Sequence, residues 1–140
     1  MAIHFFVEDI ENFFLAKKEV KLWIRQCILN YNKKIGNINL IFCSDEYLKN
    51  INNEYLKHDY YTDIITFNYT ERNTLHSDIY ISTERVLENS KEFNVSFSHE
   101  IHRVIIHGIL HLIGFNDITV EEQQLMRQTE DQCLSLFPKE

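Results

Sequence analysis

Apolar residues recur along the chain at spacings that switch between those of strands and those of helices. Short apolar or alternating runs, rich in β-branched and aromatic residues, predict four strands, over residues 3–7, 38–42, 63–69 and 78–82. Helical spacing predicts five helices, over residues 11–31, 45–55, 82–93, 98–113 and 120–136. This order of strands and helices predicts a layered α/β or α+β domain with a four-stranded sheet.

Three helix ends carry local signals of their own. Ser82 is a suitable N-cap for the third helix. Gly114 follows the fourth helix, where glycine adopts a left-handed C-cap at little cost. Thr119 and Glu122 have the spacing of a capping box and predict the start of the last helix.

Composition narrows the class of protein. The 140 residues include only three glycines and one proline, no linker-like segment divides them, and we expect a single domain over residues 1–140. No apolar run approaches the ~20 residues of a membrane helix, and the first residues do not form a secretion signal. For this reason we expect no membrane partner. Three widely separated cysteines do not suggest a disulfide scaffold, which favours the reducing cytoplasm.

Charge is distributed unevenly between the two halves of the chain. The net charge is +1 over residues 1–57 and −8 over residues 58–140. An acidic protein binds nucleic acid poorly in general, because phosphate contacts need cations. The local exception is a basic set on and just after the first predicted helix: Lys17, Lys18, Lys21, Arg25, Lys33 and Lys34. A solvated helix face is the simpler interpretation of this set.

The fourth predicted helix carries a metal-binding pattern. His107 and His111 lie one turn apart on one face of the helix, so their imidazoles can converge on one ion. Gly114 lets the chain leave the helix, and Asp117 can then return toward the same ion. Two histidines and one carboxylate leave a coordination position open for water, as catalytic sites require.

The pair of histidines has two other interpretations, a chance pair without a metal and the metal site of a peptidase. A helix can carry two histidines by chance, but this helix is otherwise strongly apolar, and buried histidines need partners. The spacing is also similar to that of metzincin proteases, in which a glutamate follows the first histidine. Gly108 occupies that position here, which argues against a peptidase.

The same segment resembles the signature of the YbeY family of bacterial endoribonucleases. The family pattern is HGxLHLxG followed by an aromatic residue, and residues 107–115 read HGILHLIGF. Residues 62–67 (TDIITF) resemble the family's Thr-Asp-Val-Leu-Ser-Phe motif, and residues 77–82 (SDIYIS) resemble its Gly-Asp-Ile strand. Glu121, Glu122, Met126 and Glu130 are similar to its acidic last helix.

The resemblance implies an α+β fold with a mixed sheet, about five helices and a central metal-site helix. It implies a zinc-type site and metal-dependent cleavage of single-stranded RNA. It further implies processing of ribosomal RNA, notably at the 3′ end of 16S rRNA, and ribosome quality control. The implied partners are rRNA, the small ribosomal subunit and ribosome-associated proteins.

Two departures from the family pattern bear on the site. The third metal ligand is a histidine in most of the family and Asp117 here. Aspartate binds zinc, and it also suits the harder ions Mn²⁺ and Fe²⁺. The family often has an arginine where this chain has Leu56, so Lys57 is the candidate replacement for a phosphate contact.

The remaining candidates each have two interpretations. Arg103 can stabilise a transition state, as a second candidate catalytic residue beside Lys57, or form an ion pair with Glu100 or Asp78. Asp63 can order a turn or act in catalysis, and Asp78 can accept a hydrogen bond from a metal-binding histidine. A few more residues are candidates for proton transfer or base stacking but are expected chiefly on the surface or in the core: His58, His76, Tyr60, Tyr61, Phe67 and Tyr69. His99 and His102 are expected to be exposed or to cap the helix.

Two rival functions keep the same metal site. A metal-dependent hydrolase or peptidase of other substrates would account for the acidic composition. A non-catalytic ribosome-assembly factor would hold a structural metal, and a fourth ligand such as His76 or Asp78 would favour it.

Overall fold

The computed structural model describes residues 2–57 and 61–138. The four strands in that part of the chain are β1 (Ala2–Val7), β2 (Lys34–Cys43), β3 (Ile64–Asn68) and β4 (Thr74–Ser82). The helices there are α1 (Lys17–Asn30), α2 (Asp45–Leu56), α3 (Thr83–Glu92), α4 (Phe97–Ile113) and α5 (Val120–Ser135). His58 and Tyr60 lie outside the described residues.

The strands form one mixed sheet in the order β1-β2-β4-β3. Strands β1, β2 and β4 are parallel, and β3 pairs antiparallel with β4 along the edge. The predicted α+β fold with a mixed four-stranded sheet and five helices is confirmed. Within the described ranges, every helix is too short or too polar to cross a membrane.

Helix α4 lies at the centre of the larger layer of the molecule. It contacts α1, α3, α5 and the strands β3 and β4, and ten of its 17 residues are buried. The main core fills the space between the sheet and the α1 and α4 helices, and a smaller core lies under α2 on the opposite face. A Cβ atom on Gly108 would lie 2.8 Å from the Cδ1 atom of Ile64, so glycine at this position lets α4 approach β3 closely.

Three predicted boundaries are wrong, because long-range packing decides them. Helix α1 begins at Lys17 rather than at residue 11, and the preceding segment instead places Phe13 edge-on to Phe42 and Phe97, with ring centroids 5.1 and 6.0 Å apart. Strand β4 begins at Thr74 and β2 at Lys34, both earlier than their apolar runs. The predicted caps are confirmed at Ser82, at Gly114 (φ 126°) and in the capping box of Thr119 and Glu122.

His102 is half-buried rather than exposed, and it couples stability to pH. Its ring stacks on Phe137 at 4.1 Å and lies 5.6 Å from Trp23. Burial, followed by the charge of His99, lowers the pKa of His102 to about 4. The unfolded chain takes up this proton near pH ~6.5, so the free energy of unfolding falls as the pH is lowered from ~6.5 to about 4.

We expect His102→Phe to make the free energy of unfolding less dependent on pH in this window. Urea denaturation between pH 6.5 and 4 measures the effect, which is at most about 1.4 kcal/mol per pH unit for one proton. His4→Gln, which changes an exposed histidine of β1, is the control. Equal pH dependence in the wild type and in His102→Phe would contradict the prediction.

Candidate metal centre and its cleft

Helix α4 and the turn that follows it bring His107, His111 and Asp117 together. The Nε2 atoms of the two histidines lie 3.0 Å apart, on one face of the helix. Gly114 ends the helix with φ 126°, and its N–H donates to the carbonyl oxygens of Leu110 and His111. The chain then returns so that Oδ2 of Asp117 lies 3.2 Å from Nε2 of His111 and 3.3 Å from Nε2 of His107.

These three residues, called the metal group below, fit one divalent ion. One nitrogen from each histidine and one oxygen from the carboxylate all lie within 4.8 Å of one another. Two imidazole nitrogens and one carboxylate oxygen are a donor set typical of zinc sites with an open position. Among the residues that the structure describes, no fourth histidine, cysteine or acidic side chain joins the group.

Helix α5 and its capping turn fix the position of Asp117. The Nε2 atom of Gln123 donates to the backbone carbonyl oxygen of Asp117 over 3.1 Å. The capping box closes the same turn, with Thr119 and Glu122 each accepting a backbone N–H from the other. The carboxylate of Asp117 is therefore held on a short, hydrogen-bonded connection between α4 and α5.

Glu130 orients His107 by contacting Nδ1, the ring nitrogen that does not face the metal group. Oε2 of Glu130 lies 2.7 Å from Nδ1 of His107, so this nitrogen carries the proton and Nε2 is left with its lone pair toward the metal group. Burial lowers the pKa of His107, but the hydrogen bond and charge of Glu130, with the charges of Asp117 and Asp63, outweigh this effect and raise it. Because a second proton on the ring binds Nε2 and competes with the metal, we expect metal affinity to fall at acidic pH.

Arg103 belongs to the same buried network. Its Nη1 donates to Oε1 of Glu130 over 2.8 Å, and its Nη2 donates to Oδ1 of Asp131 over 2.7 Å. The side chains of Arg103 and Glu130 are only 10% and 6% exposed. The predicted ion pairing of Arg103 is confirmed, but the predicted partners, Glu100 and Asp78, are wrong. The partners are Glu130 and Asp131.

The expected role of Asp78 beside a metal-binding histidine is also wrong. Oδ1 of Asp78 accepts a hydrogen bond from Nδ2 of Asn39 across the sheet, over 2.9 Å. Glu130 takes that role, and the sequence contained a signal for it. Met126, Glu130 and Cys133 have helical spacing, which places Glu130 on the buried face of α5.

Two cavities flank the metal group and together form a cleft. One, of about 390 Å³, extends toward α3 and α5 and is lined by charged side chains as well as by Phe93, Val104 and Met126. The other, of about 580 Å³, extends along β3 and is lined by uncharged polar side chains, among them Asn52, Thr62, Thr66 and Asn68. His107, Asp117, Asp63 and Ile64 line both cavities.

The turn-ordering role predicted for Asp63 is confirmed, and its role in catalysis stays a prediction. Its backbone carbonyl accepts from the N–H of Ser82 over 2.9 Å, which orders the entry to β3. Its carboxylate accepts from Nδ2 of Asn89 over 3.2 Å and lies on the wall of the cleft. Burial raises the pKa of Asp63, although the charge of His107 opposes this.

The other sequence candidates lie at the margin of the cleft or away from it. Lys57 is exposed at the end of α2, and its backbone is left-handed (φ 56°). The neighbouring Leu56, and not Lys57, lines the cavity along β3. The Tyr61 hydroxyl donates to Glu46, and the ring of Phe67 packs edge-on to Tyr80 at 5.9 Å. His76 lies at another cavity, at the end of the sheet.

The chain is similar to proteins of one family along nearly its whole length. The family model described as "Endoribonuclease YbeY" matches residues 7–137. Two curated relatives with that name come from Parabacteroides distasonis (46% identical, covering 100% of this chain and 99% of the relative) and Christiangramia forsetii (54% identical, covering 96% and 94%). The solution structure of TM1509 from Thermotoga maritima is similar in fold, with a TM-score of 0.68, 25% identity and coverage of 96% of this chain and 87% of that one.

Proposed function

This chain belongs to the endoribonuclease YbeY family, and from that premise we propose that it is a metal-dependent endoribonuclease acting on single-stranded RNA. His107, His111 and Asp117 hold one divalent ion, which we assign as Zn²⁺. The observation that carries this proposal is the convergence of these three donor atoms at the centre of an open cleft. The uncharged polar wall along β3 gives an RNA strand a surface without acidic side chains beyond Asp63 and Asp117.

The geometry supports a division of roles among the residues of the cleft. When bound, a divalent ion polarises a phosphoryl oxygen or lowers the pKa of a coordinated water. Glu130 holds His107 in the tautomer that leaves Nε2 free for that ion. Asp63, a half-buried carboxyl with a raised pKa on the cleft wall, is placed to move a proton during cleavage.

The two candidate catalytic cations differ in their surroundings. Both Nη atoms of Arg103 are bound to carboxylates, which supports a positioning role through Glu130. Lys57 is exposed at the end of α2 beside the cavity-lining Leu56, and its proposed role is a phosphate contact from the rim. Lysine would act there as a point charge, without the bidentate geometry of an arginine.

The proposed biological role is maturation of ribosomal RNA in the cytoplasm. The motifs shared with the YbeY family support processing at the 3′ end of 16S rRNA, quality control of ribosomes, and partners on the small ribosomal subunit. Mapping the 3′ ends of small-subunit rRNA in cells depleted of this protein tests that role. Unchanged 3′ ends after depletion would contradict it.

Two observations weigh against the rival functions. Gly108 occupies the position of the metzincin glutamate, and a larger side chain there would displace the Ile64 side chain of β3, which disfavours a peptidase. A structural zinc site has four protein ligands, whereas the described residues supply three, and neither His76 nor Asp78 is among them.

We expect cleavage of an end-labelled single-stranded RNA to require the metal. Chelation followed by dialysis should abolish cleavage, and addition of Zn²⁺ should restore it. An RNA duplex of the same sequence is the matched substrate control and should stay intact. Undiminished cleavage after verified removal of the metal would refute metal dependence.

A further inference from the structure

A third cavity lies at the end of the sheet, outside the metal site, and its lining carries more basic than acidic side chains. It has a volume of about 550 Å³ and is lined by Lys34, Glu71, Arg72, Asn73, Thr74 and His76. We call it the hairpin cavity, because it lies against the turn that joins β3 to β4. The geometry points to a binding site for a phosphodiester of the RNA strand, several nucleotides from the bond that is cleaved.

A bulge in β2 holds the ring of His76 in one orientation. The parallel register between β2 and β4 shifts between Ile35 and Ile38, and the intervening backbone approaches the His76 side chain. A Cβ atom on Gly36 would lie 2.2 Å from Cε1 of His76, so a larger residue there would displace the ring from this orientation. The N–H of Asn37 donates to Nδ1 of His76 over 3.0 Å. In neutral His76 the proton is therefore on Nε2, which makes that atom a hydrogen-bond donor.

The turn itself is tied to the start of β2. The N–H of Lys34 donates to the carbonyl oxygen of Asn73 over 2.7 Å, and Glu71 and Thr74 exchange two backbone hydrogen bonds of 3.0 Å. Arg72, at the tip, has a left-handed backbone with φ 54°. The Nζ atom of Lys33 donates to Oδ1 of Asn73 over 3.3 Å. The cationic side chains therefore stand on a backbone that is already ordered.

The chemistry of the hairpin cavity suits an anion with several oxygens. No hydrogen bond or ion pair engages the side chains of Lys34 and Arg72 within residues 2–57 and 61–138. The lining contains one acid, Glu71, against the cations Lys34 and Arg72 and the imidazole of His76. This excess of positive charge contrasts with the net charge of −7 of the whole chain. A phosphodiester is a monoanion whose oxygens can accept hydrogen bonds from all three donors, and its charge complements the net positive charge of the cavity.

The position of the hairpin cavity relative to the metal group makes RNA the ligand. Asn68, the last residue of β3, lines the cavity that contains His107 and His111, and the hairpin turn follows directly. His76 lies three residues before Ile79, the partner of Thr66, which is about 10 Å along β4. Because side chains alternate along a strand, His76 lies on the opposite face of the sheet from Thr66 and the metal group. An RNA strand that leaves the metal group along β3 must therefore pass around this edge strand, and it reaches the hairpin cavity only if it is longer than a few nucleotides. This inference rests on the proposed function, because it takes the same RNA as its ligand.

The test compares a long and a short RNA with the double variant Lys34→Ala/Arg72→Ala. We expect binding of a strand of about 20 nucleotides, measured by fluorescence anisotropy, to weaken roughly tenfold or more. The slope of log K against log salt should become shallower by about 0.7, the value for one lost phosphate contact on a single strand. Cleavage of a tetranucleotide should not change. Lys17→Ala/Lys18→Ala, which removes the same charge from α1, is the control and should bind the long RNA like the wild type.

Each outcome bears on this site separately from the proposed function. Equal losses in the α1 control, or an unchanged salt slope in the hairpin variant, would overturn the inference. So would inorganic phosphate that displaces the tetranucleotide and the long strand equally well. If the wild type cleaves neither RNA, the proposed function fails, while anisotropy still decides whether the hairpin cavity binds RNA. Both variants alter exposed side chains, and unchanged melting temperatures would show that they fold.

Discussion

The double variant His107→Ala/His111→Ala is expected to bind its divalent ion more than about a hundredfold less tightly than the wild type and to cleave RNA undetectably. Two of the three donor atoms in the metal group are removed, and Asp117 alone is a weak ligand. The side chains of His107 and His111 are 25% and 31% exposed, so their loss should cost little packing. We therefore expect loss of metal and activity with a folded protein.

The measurement pairs metal content with RNA cleavage on identically prepared proteins. His99→Ala, at an exposed histidine in the first turn of α4, is the matched control and should retain one ion per chain. Circular dichroism establishes that all variants are folded. A double variant that retains one tightly bound ion would show that His107 and His111 are not the ligands. Equal cleavage by the double variant and the wild type would show that the activity does not depend on this metal group.

The metal ligands could be predicted because their geometry is local. His107 and His111 are related by one helical turn, and Gly114 permits the return of the chain to Asp117 within six residues of the second histidine. Helix caps are local in the same sense, since Thr119 and Glu122 are only three residues apart. Such features depend on the spacing of a few residues and not on how distant segments pack.

The helical spacing of α5 indicates only that Glu130 is buried, because the partners of Glu130 and Asp131 depend on how α5 crosses α4. Glu130 is 23 residues from His107 and 27 from Arg103 in sequence, and only the packing of the two helices brings them together. The start of α1 differs from the predicted one for a similar reason, since Phe13 packs against Phe42 and lies outside the helix. Long-range contacts override local propensity in both cases.

The second large effect expected is loss of stability when Glu130 is replaced by alanine. The side chains of Glu130 and Arg103 are 6% and 10% exposed, and their ion pair is the buried part of the network. Removing Glu130 leaves Arg103 with Asp131, whose side chain is 58% exposed. An incompletely compensated buried charge costs about 3–5 kcal/mol, which lowers the melting temperature by roughly 10 °C or more in a chain of this length.

A second variant separates this stability effect from the orientation of His107. In Arg103→Met/Glu130→Met, both charges are replaced by flexible apolar side chains of similar length, and such replacements are often neutral or stabilising. His107 nevertheless loses the acceptor for its Nδ1 proton. We therefore expect a near-normal melting temperature together with metal affinity reduced by about 10–100-fold.

Titration of Zn²⁺ into metal-free protein, alongside thermal melting of the same samples, decides between a positioning role and a purely structural one. A structural role predicts that metal affinity follows stability, so Arg103→Met/Glu130→Met should bind zinc like the wild type once it is folded. A positioning role predicts weak zinc binding in that folded variant, because the imidazole of His107 is no longer held in the tautomer and orientation that direct Nε2 to the ion. Wild-type zinc affinity in the double methionine variant would eliminate the positioning role of Glu130 and, with it, the role of Arg103 through Glu130.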